Sequence, residues 1–464
     1  MPSAEAIRAT LEHPVIDADG HQIEFLPLLA DFVEAEAGRS VRDHFDLTVG
    51  SAGLIRDLDD RTRRSLGLSR TGWWALPAAN TLDRATAMLP HLLHSRLDEL
   101  GIDVALMYPT AGLMVMALDD DELRGALARA FNRYCVEVFA GTTDRLMPVG
   151  VIPTYSPREA LAELEWAHQA GLRAFLFGGL VLRPTPDLEA ARSARWVDGL
   201  GLDSAHDYDP LWQRCDELGV SPTFHSTGIG FGSRTSPTNY VANHIGNFAA
   251  GNEAVARSLL LGGAMTRFAR LRWAFLEGGV TWALSLRSDT IGHFDKRNRV
   301  ALDHYDPRRL DREFLARMVV DHGAEAVRAR VARIDESLGF LSDPDDAETR
   351  LDEFAPTEWR STDEIVAAFE RCSFGCEADD PTVGLGFARS FGPKLRAMFA
   401  SDIGHWDVPD FRGVLGEAYE LVELGHLDPT QFRAFTFDHV VDHWTATNPG
   451  FFDGTVVAAD VRAR

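Results

Sequence analysis

Short apolar runs alternate with stretches of helical apolar spacing along most of the 464-residue chain. This alternation is typical of βα units that build a parallel sheet. One helix, predicted over Ser156–Ala170, begins with a Ser-Pro pair and ends before Gly171. Eight runs are predicted as strands: Pro14–Asp19, Ile102–Tyr108, Leu146–Ile152, Leu172–Phe177, Val220–His225, Leu271–Leu276, Arg371–Glu377 and Arg396–Asp402. Eight parallel strands close a (β/α)8 barrel, so the predicted fold class is an α/β TIM barrel.

A doubly wound sheet is the alternative topology, but no GxGxxG motif follows the first strand to support it. Three stretches, at about 25–80, 226–263 and 281–370, are longer than barrel connections require. Ordered loops of this length commonly act as lids or subunit contacts. We therefore expect residues 1–464 to form one enlarged barrel domain with three insertions.

The charge of the chain narrows the class of partner. Its 70 acidic residues outnumber 46 basic ones and give a net charge of −24. Nucleic acids and anionic membranes need a basic surface, so a small-molecule substrate is expected instead. No run approaches the ~18 apolar residues of a membrane span, and the first residues lack the apolar stretch of a signal peptide. The four cysteines include no CxxC pair, which favours a reducing compartment and a cytoplasmic location.

The strongest chemical signal directly follows the first apolar run, in Asp17-Ala-Asp19-Gly-His21. In an extended chain residues i, i+2 and i+4 point to the same side, so these three side chains are expected to converge at the carboxyl end of the strand. Carboxylates with an imidazole suit a divalent cation. A polar turn that closes the strand, with Asp17 capping backbone amides, is the alternative interpretation.

Two further residues occupy equivalent positions. His225 ends the predicted fifth strand, and Asp402 ends the predicted eighth. Each is positioned where a barrel strand delivers a side chain to the active-site face. Either alone is commonly structural, but together with the first strand they favour a metal site.

With these motifs in place, the sequence resembles the metal-dependent amidohydrolase superfamily (amidohydrolase-related family 2). The branch it resembles is that of aminocarboxymuconate-semialdehyde decarboxylase and the resorcylate decarboxylases. The resemblance covers most of the chain and rests on IDADGHQIE, GIDVALMYPT, FNRYCVEVFAGTTDRLMPVGVIP, YDPLWQRCDELGVSPTFHSTG, LRWAFLEGGVTW and FASDIGHWD, in that order.

The resemblance implies a metal-ligand set. The His-x-His pair of the family falls on Asp19 and His21, its fifth-strand ligand on His225 and its eighth-strand aspartate on Asp402. One divalent ion is implied, with zinc favoured and manganese or iron as alternatives. The extra carboxylate at Asp19 favours a harder ion such as Mn²⁺. A homodimer is also implied, because dimers are common in this family.

The sixth strand departs from the family, because Glu277 stands where decarboxylases of this group often carry a histidine. Glu277 is expected to replace that acid/base residue or to order the metal ligands. His405 lies in a stretch resembling Ser-Asp-x-Pro-His of the family and is a further candidate beside Asp402. Four more residues are candidates for supporting the ligands or meeting substrate: Asp17, Glu24, His244 and Glu377.

These residues suit two reactions. In decarboxylation the ion would hold a substrate carboxylate, and Asp402 or Glu277 would help to protonate carbon. In hydrolysis Asp402 would take a proton from metal-activated water that attacks an amide, ester or thioester carbonyl. Decarboxylation of a small carboxylated substrate is slightly favoured, and Trp73, Trp74 and Phe231 suggest an aromatic one. A non-catalytic ligand-binding barrel is the third interpretation.

Overall fold

The computed structural model describes residues 2–70, 79–185, 195–225, 235–339 and 351–464. Trp73, Trp74 and Phe231 therefore lie outside the described residues. In this part of the chain there are ten strands: β1 (Ile16–His21), β2 (Val104–Tyr108), β3 (Leu146–Ile152), β4 (Ala174–Phe177), β5 (Val181–Pro184), β6 (Arg195–Asp198), β7 (Pro222–His225), β8 (Trp273–Leu276), β9 (Cys372–Glu377) and β10 (Arg396–Ala400).

Eight of the strands form one parallel sheet in the order β1-β2-β3-β4-β7-β8-β9-β10. The sheet curls until β10 meets β1, where His21 N–H donates to Ile403 O (2.9 Å) and Asp402 N–H donates to Asp19 O (3.1 Å). All eight predicted strands are present, with ends that differ by a few residues. The predicted barrel is confirmed. The remaining strands, β5 and β6, form an antiparallel hairpin after β4.

Helices connect the strands: α1 (Ala4–Thr10), α2 (Leu26–Ala37), α3 (Arg39–Arg56), α4 (Asp60–Leu66), α5 (Thr81–Met88), α6 (Pro90–Leu100), α7 (Asp121–Val138), α8 (Pro157–Gln169), α9 (Asp209–Leu218), α10 (Tyr240–Ile245), α11 (Phe248–Leu261), α12 (Ala264–Arg267), α13 (Thr281–Arg297), α14 (Arg312–His322), α15 (Glu325–Arg328), α16 (Ile334–Leu338), α17 (Thr362–Phe369), α18 (Val383–Phe387), α19 (Val414–Glu423), α20 (Pro429–Arg433), α21 (His439–Thr445) and α22 (Ala458–Ala463). None of the helices described here is long and apolar enough to span a bilayer.

Local sequence explains where these helices begin and end. The Ser156 side chain caps α8 by accepting from Glu159 N–H at 3.3 Å, and Pro157 occupies the first turn, where its missing N–H costs nothing. Gly219 ends α9 in a left-handed conformation (φ 69°) that glycine adopts easily. The predicted Ser156–Ala170 helix is therefore confirmed, and the chain turns sharply into the following strand.

The apolar core fills the amino-terminal end of the barrel. Side chains from the starts of the strands, such as Ile16 and Val104, pack against the carboxy-terminal segment of the chain. That segment contributes Val440, Trp444 and Phe451, all buried. Because this end is filled by hydrocarbon, polar chemistry is confined to the carboxyl ends of the strands.

The chain divides into two compact units, one of Met1–Leu286 with Val366–Arg464 and one of Arg287–Ile365. The first contains the barrel. The second lies within the insertion expected at 281–370 and includes an ion pair between Arg297 and Glu353 (2.8 Å). The single domain over 1–464 and the homodimer stay predictions.

Candidate metal centre

Six acidic and histidine side chains meet at the carboxyl ends of four barrel strands. Asp19 and His21 belong to β1, His225 ends β7, Glu277 follows β8, and Asp402 and His405 follow β10. Each is at most 5% exposed. Burial of so many ionisable groups in one place is costly unless a partner neutralises them.

The two strand histidines face each other directly. The Nε2 atoms of His21 and His225 lie 3.0 Å apart. His21 Nδ1 is 3.2 Å from the Pro109 carbonyl oxygen. A carbonyl oxygen can only accept, so His21 Nδ1 carries the hydrogen and Nε2 presents its lone pair to the cluster. This tautomer is the one a metal-binding histidine needs.

Carboxylates surround these nitrogens. Asp19 Oδ1 lies 3.4 Å from His21 Nε2, and Asp19 Oδ2 lies 3.7 Å from His225 Nε2. Glu277 Oε2 is 2.8 Å from His225 Nε2. On the far side, His405 Nδ1 is 3.4 Å from Glu277 Oε1 and 3.7 Å from Asp402 Oδ1. The ring of His405 packs 3.8 Å from that of His21, centroid to centroid.

The backbone is strained where two of the carboxylates are presented. Glu277 (φ 57°) and Asp402 (φ 49°) both adopt the left-handed conformation that non-glycine residues avoid. Such strain, on the order of 1–3 kcal/mol per residue, persists where the surrounding structure imposes it and clusters at functional sites. It turns both carboxylates into the mouth of the barrel.

Glycines make room for this arrangement. A Cβ on Gly375 of β9 would lie 2.9 Å from Leu276 Cα and 3.0 Å from Glu277 N, so only glycine lets β9 approach the end of β8. A Cβ on Gly404 (φ 96°) would lie 2.7 Å from the His21 carbonyl oxygen. Both positions support the chain beside a residue of the cluster.

Burial and mutual charge shift the pKa values of the cluster. Burial, reinforced by Glu277, holds the pKa of Asp402 well above its usual range, and burial does the same for Asp19. Although burial opposes it, the charges of His225 and His405 hold the pKa of Glu277 below its ordinary value. Glu277 and Asp19 outweigh burial at His225 and raise its pKa to about 9. The cluster therefore attracts positive charge.

The donor atoms fit a divalent cation. Two sets of donor atoms each lie within 4.8 Å of one another, one from His21, Glu277, Asp402 and His405 and the other from Asp19, His21 and His225. Both oxygens of Asp19 are buried and accept no hydrogen bond from any described residue. The same is true of Oδ1 of Asp402. Buried carboxylate oxygens are normally satisfied, so these three atoms are suited to bind a cation.

Asp17 and Glu24 hold backbone in place. The pairing of β1 with β2 is irregular between Asp17 and Gly20. The Asp17 carboxylate accepts hydrogen bonds from the backbone N–H (3.0 Å) and the Oγ–H (2.5 Å) of Ser401. It does not belong to either donor set. Burial raises the pKa of Asp17 to about 6. The Glu24 carboxylate accepts three N–H groups, from Thr110 (3.1 Å), Ala111 (2.7 Å) and Gly112 (2.9 Å). It therefore fixes the turn that follows β2.

His244 and Glu377 lie near the cluster without belonging to either donor set. His244 accepts from Trp406 Nε1 (3.2 Å) through Nε2, which lies 3.9 Å from Asp407 Oδ2. Glu377, at the end of β9, is accessible to solvent. Partial loss of hydration, with repulsion from Glu277, raises its pKa to about 8. Both residues are placed to line the approach to the cluster.

Three residues that support this site were not among the candidates predicted from the sequence. Ser401 anchors Asp17, the Pro109 carbonyl selects the His21 tautomer, and Asn252 Nδ2 donates to Leu276 O (2.6 Å) just before Glu277. Ser401 stands beside Asp402, and Pro109 directly follows the predicted second strand, so position alone could have suggested them. Nothing in the sequence marks Asn252.

Comparisons with known proteins agree with this architecture. The sequence model of the amidohydrolase family matches residues 98–339, more than half of the chain. The chain therefore belongs to the amidohydrolase family, as its motifs predicted. A search of the curated proteins found no match.

Solved structures share the fold at low identity. An amidohydrolase from Mycobacterium avium subsp. paratuberculosis K-10 is 16% identical, with a TM-score of 0.53 over 94% of this chain and 100% of that one. The 5-carboxyvanillate decarboxylase of Sphingomonas paucimobilis is 14% identical (TM-score 0.47, 93% and 98% covered). That of Novosphingobium aromaticivorans, solved with bound manganese, is 10% identical (0.49, 94% and 97%). The fold comparison rests on the mycobacterial structure.

Proposed function

We propose that this protein is a metal-dependent enzyme that decarboxylates a small carboxylated substrate without oxidation. The observation that carries the proposal is the convergence of buried carboxylate and imidazole donors at the strand ends, where both oxygens of Asp19 and Oδ1 of Asp402 accept no hydrogen bond from the described residues. Metal-supported hydrolysis of an amide, ester or thioester is the second candidate, because the same residues can handle a proton in either reaction.

Asp19, His21, His225 and Asp402 would hold one divalent ion, with zinc, manganese or iron compatible with nitrogen and oxygen donors. Such an ion would supply Lewis acidity and grip the carboxylate or carbonyl of a substrate. The contact between His21 and the Pro109 carbonyl fixes one ligand before the ion arrives. A preformed site of this kind binds with little reorganisation.

The mouth of the barrel has an acidic side and an apolar side. Glu277, Glu377 and Asp402 follow β8, β9 and β10. The turn after β2 holds Leu113 and Met116 against the barrel core. A substrate carboxylate bound beside the ionised Glu277 would be repelled by it, and one bound beside Leu113 and Met116 would lose hydration. Its loss as neutral CO2 relieves both, which favours decarboxylation.

Proton delivery would come from the residues after β8 and β10. As the bond between the carboxylate carbon and its neighbour breaks, the electron pair left on the neighbouring carbon takes a proton from Asp402 or from the Glu277–His405 pair, and solvent restores it. In hydrolysis Asp402 would instead accept a proton from water, with His405 3.7 Å away to assist. Both reactions therefore depend on the strained Asp402.

The test is a released-CO2 assay on purified protein against aromatic and aliphatic carboxylic acids, beside a hydrolysis panel of esters, amides and thioesters. We expect bound metal, CO2 release from at least one acid, loss of release on chelation, and loss by more than about 10²-fold in Asp402→Asn. Asp321→Asn, the same change at an exposed position, is the matched control.

The outcomes separate the candidates. Hydrolysis without CO2 release would favour the second candidate. Retention of a ligand without turnover would favour a binding protein. Protein that binds no ion and whose activities are the same in Asp402→Asn would refute the proposed metal enzyme.

A further inference from the structure

Glu277 lies where a metal ligand would lie, although the sequence predicted an acid/base residue or one that orders the metal ligands. Its two carboxylate oxygens face different partners. Oε2 is 2.8 Å from His225 Nε2, and Oε1 is 3.4 Å from His405 Nδ1. The side chain is buried, and its backbone is held in the left-handed conformation that directs it inward. It is therefore fixed among the nitrogens of the cluster.

The short distances in the cluster match the edges of a coordination shell. Ligand atoms at about 2.0–2.2 Å from one ion lie about 2.8–3.6 Å from each other. The separation of His21 and His225 (3.0 Å) falls in this range, as does that of Glu277 and His225 (2.8 Å). His21 directs a lone pair toward His225 Nε2, so the position between them accepts either a proton on His225 or a cation. Glu277 Oε2 and His21 Nε2 therefore both lie at ligand-to-ligand distance from His225 Nε2.

The two donor sets describe one ion position. His21 Nε2 belongs to both sets, and its Nδ1 is occupied by the Pro109 carbonyl. An imidazole nitrogen has one lone pair and binds one ion, unlike a carboxylate, which can bridge two. A single ion held by His21 is therefore within reach of donors from both sets, including Glu277.

We propose that Glu277 is itself a ligand of the ion, through Oε2, while Oε1 accepts a hydrogen bond from His405 Nδ1–H. The proposal rests on the metal site of the proposed function and specifies its donor set as carboxylate-rich. With Oε2 on the ion and Oε1 on His405, Glu277 then has no free oxygen to carry a proton. That task passes to Asp402 and to His405, whose tautomer Glu277 sets.

The experiment measures metal binding rather than turnover. Mn²⁺ and Zn²⁺ affinities of the full chain are determined by competition with a chromophoric chelator, and the visible absorption of the Co²⁺-loaded protein reports the ligand set. The variants are Glu277→Gln, which keeps the shape, and Glu277→Asp, which keeps the carboxylate. Glu377→Gln is the matched control, because it makes the same change at a nearby carboxyl group that belongs to neither donor set.

If Glu277 is a ligand, Glu277→Gln weakens binding by more than about 100-fold, beyond the usual loss for a residue that only supports a ligand. The Co²⁺ absorption shifts, and Glu277→Asp recovers part of the affinity. Glu377→Gln changes affinity by less than about threefold and leaves the spectrum unchanged, because Glu377 is exposed to solvent and lies outside the ligand shell.

Wild-type affinity and an unchanged Co²⁺ spectrum in Glu277→Gln would overturn the proposal, as would equal losses in Glu277→Gln and Glu377→Gln with both spectra unchanged. If wild-type protein binds no ion, the proposed function itself fails, which is a different result. Circular dichroism in chelator checks folding, and Glu277→Asp answers the question if the glutamine variant does not fold.

Discussion

The two ends of the barrel bury the same residue type in opposite surroundings. At the amino ends of the strands, His439 Nδ1 meets the Ala397 carbonyl oxygen (2.8 Å) and His443 Nδ1 meets Ser373 Oγ (3.1 Å). Burial lowers the pKa of these histidines to about 4 and about 3, and that of His13 to about 4. At the carboxyl ends, carboxylates outweigh burial and raise the pKa of His225 to about 9.

The difference in surroundings distinguishes buried histidines that pack the core from those of the candidate metal site. The amino-end histidines are neutral and each has a single polar neighbour, while aromatic rings fill the remaining space. His439, for example, stacks on Phe387 at 5.4 Å. At the carboxyl end, both oxygens of Asp19 and Oδ1 of Asp402 accept no hydrogen bond from the described residues. A neutral buried ring such as His443 can leave one nitrogen unpaired among aromatic side chains, whereas several unpaired buried carboxylate oxygens indicate a cationic ligand.

The largest expected effect is acid destabilisation from the amino end. The folded-state pKa values of His13, His439 and His443 lie below the unfolded value of 6.5, so the unfolded chain binds more protons at low pH. Stability is therefore full above pH 6.5 and falls as the pH drops toward about 4, by on the order of 2 kcal/mol per histidine at pH 5. Urea unfolding in chelator at several pH values measures this loss.

The control for this titration is a histidine outside the core. His443→Gln removes one buried titrating group and should flatten the dependence of the free energy of unfolding on pH. His322→Gln, at an exposed position, should leave it as in the wild type. If the free energy of unfolding depends on pH with the same slope in all three proteins, burial of His443 does not lower its pKa in the folded state.

A smaller effect is expected at Glu24, a buried carboxylate whose oxygens accept hydrogen bonds from backbone N–H groups of the protein. Glu24→Gln replaces an acceptor of three N–H groups by an amide with one acceptor oxygen. Leaving buried N–H groups unpaired should lower the free energy of unfolding by about 1–3 kcal/mol. Glu122→Gln, exposed at the start of α7, should change stability by less than about 0.5 kcal/mol. No difference between these variants would mean that the three bonds do not stabilise the turn.

The smallest effect is expected to have the opposite sign. In chelator, Asp402→Asn replaces a carboxyl group whose ionised form is disfavoured by burial and by Glu277, and it keeps a residue that tolerates positive φ. The metal-free variant should be more stable than wild type by about 0.5–2 kcal/mol, as is common where function conflicts with stability. Thermal unfolding of both proteins in chelator measures it. A clear loss of stability would show that Asp402, like Glu24, is a carboxylate that stabilises the folded protein.

Much of the fold was predictable because it depends on local pattern. Apolar runs with helical stretches between them located all eight barrel strands, and Ser156 with Pro157 located the start of α8. The positions of Asp19, His21, His225 and Asp402 at strand ends followed from the same pattern. Parallel strands in a barrel bring their carboxyl ends together, so the convergence of these residues was predictable too.

Tertiary structure decided how each side chain is used. Sequence alternation placed Asp17 with Asp19, but the irregular pairing of β1 turns Asp17 to Ser401, a residue 384 positions away. The three amides that Glu24 accepts and the backbone φ that aims Glu277 into the cluster likewise arise from neighbouring strands and turns. Residue type and strand position are local properties that the sequence determines by itself. Side-chain direction and hydrogen-bond completion depend on contacts between distant segments, which only the folded barrel brings together.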